Sequence, residues 1–205
     1  MNYLSIFVIS FIIAFSGALM PGPLLTAVIA ESAKSGAKSG PFISLGHAIL
    51  EALMVGFIIF GFAHFIHNPG VITAISIVGS LILLYFAISM LLSIPRISID
   101  SKNNYKKSSG LILLGITMSI ANPYWTLWWL TIGLGLVLGA QKGGLAAIVF
   151  FFLGHILADF GWYSLVSLAI SKGSKFITLR IYRGIIFICA ITLMGFSVFF
   201  LISSF

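Results

Sequence analysis

Six apolar runs follow one another along the 205-residue chain, with only short connections between them. They cover Leu4 to Ala30, Pro41 to Ala63, Val71 to Ile94, Gly110 to Leu138, Gly144 to Ile170 and Tyr182 to Ile202. A bilayer core about 30 Å thick is crossed by about 20 helical residues rising about 1.5 Å each, and every run reaches that length. Lipid offers no water to exposed peptide groups, so a crossing segment must close its own hydrogen bonds as a helix. The expected fold is an all-α integral membrane protein of six transmembrane helices, a single transmembrane domain over residues 1–205 with no room for a soluble one. Composition agrees: 60% of residues are hydrophobic, 7% are charged and the mean hydropathy is +1.18, outside the soluble range.

The first run is expected to be a mature span and not a signal peptide. Residues 1–10 hold no Lys or Arg, no small-residue cleavage site closes the run, and it outlasts signal length. Cys189 is the lone cysteine, which excludes an internal disulfide and any paired-cysteine redox or zinc motif.

Charge sets the orientation. Lys34 and Lys38 follow the first run, Arg96, Lys102, Lys106 and Lys107 the third, and Lys172, Lys175, Arg180 and Arg183 the fifth, ten basic residues in all, whereas the opposite side holds Lys142 alone. Basic connections stay cytoplasmic, so both termini are expected outside the plasma membrane. This asymmetry accounts for the net charge of +7 and requires no nucleic-acid partner. Asn104-Tyr105-Lys106-Lys107 suits contact with anionic lipid. Homo-oligomerisation stays open.

Two runs are interrupted by proline: Pro21-Gly22-Pro23 in the first and Asn122-Pro123 in the fourth. Proline removes a backbone donor and clashes with the carbonyl one turn earlier, freeing peptide groups that lipid cannot satisfy. Half-helix N-termini at such breaks favour a carboxylate and freed carbonyls an ammonium. The bland alternative is a kink satisfied by a neighbouring helix.

The breaks belong to a repeated pattern. Pro23-Leu24-Leu25-Thr26 precedes Gly46-His47-Ala48-Ile49-Leu50-Glu51, and Pro123-Tyr124-Trp125-Thr126 precedes Gly154-His155-Ile156-Leu157-Ala158-Asp159. Three spans per half invert the second half relative to the first. The expected organisation is repeat one over 1–97, a linker over 98–109 and repeat two over 110–205.

His47 with Glu51, and His155 with Asp159, are spaced four apart and so share a helix face one turn apart. Ionisable groups within spans are costly and functional by default; a carboxylate beside a histidine suits proton pick-up and release. Other readings are a His–acid staple between helices, or a divalent-metal site formed by both pairs. His64 and His67 lie near an outer connection and could feed such a site. Tyr124, Trp125, Trp128 and Trp129 follow Pro123 closely; at least two are expected to pack in the core, the rest to line a cavity. Gly17, Gly22, Gly46, Gly56, Gly115, Gly154 and Gly161 suit close helix contact.

Pro-Gly-Pro in the first span, Lys34 to Gly40 leading into Gly46-His47, and Gly115 with Asn122-Pro123 in the fourth span resemble the lysine exporter (LysE/RhtB) family of amino-acid efflux proteins. The resemblance covers all six runs. It implies export of amino acids or their derivatives, driven by the proton gradient or the membrane potential, and does not carry a substrate across.

Together these features point to a secondary transporter exporting amino acids or related small metabolites, with protons as the coupling partner. Substrate contacts are expected from Pro21, Gly22, Pro23, Thr26, Asn122, Pro123, Trp125 and Thr126, and proton coupling from His47, Glu51, His155 and Asp159. No nucleophile–base constellation and no Gly-Lys-Ser/Thr loop is present, so neither an enzyme, a cofactor nor ATP drive is expected. The alternative is a divalent metal cation exporter using the two His–acid pairs.

Overall fold

The computed structural model describes residues 2–19, 22–61, 69–96, 108–173 and 178–202. Among them there are helices and no strand. They form α1 (Tyr3–Ala18), α2 (Pro23–Ser35), α3 (Ser39–Ile59), α4 (Pro69–Ser93, continued by a 3-10 turn, Ile94–Arg96) and α5 (Ser108–Ile120). There follow α6 (Pro123–Trp128), a π-helical turn (Trp129–Gly133), α7 (Leu134–Gln141), α8 (Gly144–Gly173) and α9 (Leu179–Ile202). Pro21, His64, His67, Lys175 and the 98–107 part of the linker lie outside the described residues.

Four helices are long and apolar enough to cross a membrane on their own; two bent pairs raise the number of spans to as many as six. The bent pairs sit at the prolines: α1 meets α2 at 79°, and α5 meets the helical stretch from Pro123 at 67°. Both second halves begin as expected for a broken span, with Pro23 and Pro123 as first helical residues, where the missing N–H is no loss. Large apolar side chains such as Leu53, Leu145 and Ile202 point outward, at 66%, 76% and 71% exposure. Such a surface is stable only in lipid: the chain is a multi-pass membrane protein.

Packing is exchanged between the two halves. α1 lies along α8 and α5 along α3, while α3 crosses α8 at the centre and α4 pairs with α9. The two Gly-His motifs make the exchange close. A Cβ on Gly46 would strike the carbonyl oxygen of Ile112 in α5, and one on Gly154 that of Phe7 in α1. Gly115 meets Ile43 O of α3 in the same way, so α3 and α5 touch backbone to backbone. A Cβ on Gly17 would instead meet the Trp128 indole at 3.7 Å, and Gly56 and Gly161 have open space around them; these three do not serve backbone contact.

Buried hydroxyls tie the helices together. Ser10 Oγ donates to Phe151 O at 2.7 Å across α1 and α8. Ser167 Oγ donates to Ala37 O (2.9 Å) and accepts from Gly40 N (3.0 Å) and Ser32 Oγ (2.7 Å). The turn between α2 and α3, made possible by Gly36 at φ 85°, is thereby docked on α8.

Candidate functional site

The crossing of α3 and α8 brings the two His–acid faces together. His47 and Glu51 rise from α3, His155 and Asp159 from α8, and all four are buried. Glu51 is the hub. Its Oε1 lies 3.1 Å from His47 Nε2 and 3.1 Å from His155 Nε2. The same oxygen accepts from Trp129 Nε1 at 3.2 Å and from Trp125 Nε1 at 3.4 Å. The indoles stand one turn apart at the start of the second broken half, so one carboxylate joins both His helices to the Asn122-Pro123 break. Asp159 is peripheral by comparison, with Oδ2 3.5 Å from His155 Nε2.

The histidines differ in their outer nitrogens. His47 Nδ1 lies 2.6 Å from Ser119 Oγ, and Ser119 Oγ donates to Gly115 O at 2.8 Å. Ser119 thereby holds one side of the imidazole, and His47 presents Nε2 to Glu51. His155 Nδ1 is buried without a hydrogen-bond partner, as are Glu51 Oε2 and Asp159 Oδ2. The rings of Trp128 and Trp129 flank His155, with centroids at 5.1 and 5.0 Å.

These groups line a cavity of about 390 Å³ that both breaks reach. Gly22 and Pro23 line it from the first break, Asn122 and Pro123 from the second, and His47, Glu51, His155 and Asp159 from the crossing. The breaks are not equivalent. Asn122 caps its own helix, its Oδ1 accepting from Tyr124 N at 3.1 Å, so its NH2 group is what it can offer the cavity. Gly22 has no side chain to cap α2.

Of the remaining sequence candidates, Trp125 lines the cavity. Thr26 and Thr126 are buried off its wall, and Thr26 Oγ1 donates to Gly22 O at 3.0 Å. Tyr124, Trp125, Trp128 and Trp129 all line the cavity, and the three tryptophans also belong to a hydrophobic core cluster. One face can hold the indoles because 125, 128 and 129 are spaced three and four apart. Sequence reasoning missed Ser119 and Tyr163 as wall residues. Tyr163 continues the spacing of four from His155 through Asp159, a signal that was available; Ser119 offered none. Cys189 is buried.

One ligand atom each from His47, Glu51 and Asp159 lies within 4.8 Å of the others, a grouping that a divalent cation could also use. Against known proteins, the chain matches the family described as LysE type translocator over residues 15–204. No curated protein and no solved structure matches significantly.

Proposed function

Because this chain belongs to the LysE type translocator family, we propose that it exports amino acids or related small metabolites across the plasma membrane in exchange for protons. Membership of that family supports a membrane efflux transporter of a small molecule. The proton-coupled mechanism is supported by one observation: a cavity reached by both proline breaks holds a carboxylate on which two histidines and two indoles converge. Substrate ammonium and proton compete for the acidic group, so entry of one releases the other. His47 and His155, both against Glu51 Oε1, handle the proton with Glu51 and Asp159; Gly22, Pro23, Asn122, Pro123 and Trp125 contact the substrate. Loss of the Glu51 contacts frees Trp125 and Trp129, which moves the half-helix at the second break and couples occupancy to access.

The exchanged packing of α1 on α8 and α5 on α3 supports two inverted three-span repeats, 1–97 and 110–205, about the linker. The basic connections support an orientation with both termini outside the cell. The test is counterflow in proteoliposomes with a panel of amino acids, with and without a pH gradient. Saturable exchange that a gradient accelerates, lost in Glu51→Gln, is expected. A second reading, divalent-cation export, is favoured by the close His47, Glu51 and Asp159 atoms, although two indole donors on Glu51 suit an anion acceptor rather than a metal ligand. Exchange of Mn²⁺ with no exchange of any amino acid would overturn the proposal.

A further inference from the structure

Building on that function, we infer that the substrate carries one ammonium group and a bulky, uncharged apolar side chain, and that diamino and acidic amino acids are poor substrates. The polar part of the cavity is rich in acceptors. Glu51 and Asp159 are 2% and 3% exposed, and each has a carboxylate oxygen, Oε2 and Oδ2, without a hydrogen-bond partner. His155 Nδ1 is a third unpartnered atom. Buried acceptors of this kind are costly until a donor reaches them, and an ammonium brings three donors and the opposite charge. Among the described residues that line the cavity there is no Lys or Arg, so nothing there balances the charge of an acidic side chain.

A second ammonium is also unprovided for. The two acids have ligand atoms within 4.8 Å of each other and serve a single cation. The two ends of a diamino acid would leave one ammonium against apolar wall. The rest of that wall includes Leu24, Leu25, Leu127, Phe196, Phe199 and Phe200, which reward burial of a large hydrocarbon or aromatic group. For the substrate carboxylate the lining offers the Asn122 NH2 group and the start of α2, which Gly22 leaves without a side-chain cap. Glycine or alanine would satisfy the polar groups and leave most of about 390 Å³ to water.

The experiment is counterflow in proteoliposomes of the full chain with L-leucine, L-phenylalanine, L-alanine, L-lysine and L-aspartate, and competition by L-leucinamide and 4-methylpentanoate. Leucine and phenylalanine are expected to exchange about tenfold or more better than lysine, aspartate and alanine, in the range that side-chain contacts in a pocket supply. Leucinamide, which keeps the ammonium, competes; 4-methylpentanoate, which lacks it, does not. Phe200→Ala is expected to lower phenylalanine exchange more than alanine exchange, so that the ratio between the two falls. Equal or better exchange of lysine, aspartate or alanine would overturn the inference and leave amino-acid export standing, as would competition by 4-methylpentanoate alone. Failure of every amino acid to exchange would overturn the proposed function itself.

Discussion

Replacing Trp129 by Phe removes one N–H and keeps most of the ring. The lost donor reaches Glu51 Oε1 at 3.2 Å in a site where the carboxylate is 2% exposed. A hydrogen bond to a charged group contributes about 1.5–3 kcal/mol, against about 0.5–1.5 for a neutral one. The truncated ring also gives up packing on His155 and Phe151, at centroid separations of 5.0 and 6.4 Å, a cost unrelated to Glu51. A double-mutant cycle separates the two. With Glu51→Gln as the second substitution, an amide oxygen still accepts a neutral bond, so the cycle isolates the charge-assisted part, about 1 kcal/mol. The cycle is measured as unfolding free energy in mixed detergent micelles. Trp125→Phe in the same cycle should couple less, because its bond is 3.4 Å long. A coupling within about 0.3 kcal/mol of zero, the usual error of additivity, would refute the role of Glu51 as hub, and so would stronger coupling to Trp125 than to Trp129.

Ser119→Ala leaves His47 Nδ1 without its 2.6 Å partner and should cost about 1–3 kcal/mol in stability, read by thermal unfolding in detergent, and counterflow should fall. Gly46→Ala and Gly154→Ala drive a methyl into the carbonyls of Ile112 and Phe7 and should destabilise by about 1–3 kcal/mol or more. Gly56→Ala and Gly161→Ala have open space and should be neutral or slightly stabilising, as thermal unfolding in detergent would report. In a Cys189→Ala background, Lys142→Cys should react with an impermeant thiol reagent added to intact cells and Lys38→Cys should not; the reverse pattern would invert the proposed orientation.

The two proline breaks were legible from residue chemistry, because proline's missing donor acts on its own helix whatever surrounds it. The bend of 79° at one and 67° at the other was not, since a break permits many angles and neighbouring helices choose among them. The spacing of four placed His47 with Glu51 and His155 with Asp159. It could not show that Glu51, and not Asp159, receives both histidines, for the His155–Glu51 contact joins residues 104 apart in the chain. Thr26 lies off the cavity wall for a local reason: its hydroxyl reaches back to Gly22 O within the same turn, a competition open to any helical threonine.

Hydropathy, basic-residue bias and the recurrence of Pro-x-x-Thr with Gly-His-x-x-x-acid are properties of the chain read in order, and they determined a helical membrane protein with two broken spans and two His–acid faces. Which faces meet was decided by tertiary structure alone. A helix in lipid is apolar on its outer side as well as its inner one, so periodicity does not point to the core as it does in water. Backbone contact at Gly40, where a Cβ would strike the carbonyl oxygen of Tyr163, brings α3 against α8. That crossing turns two dispersed pairs into one carboxylate held by four rings.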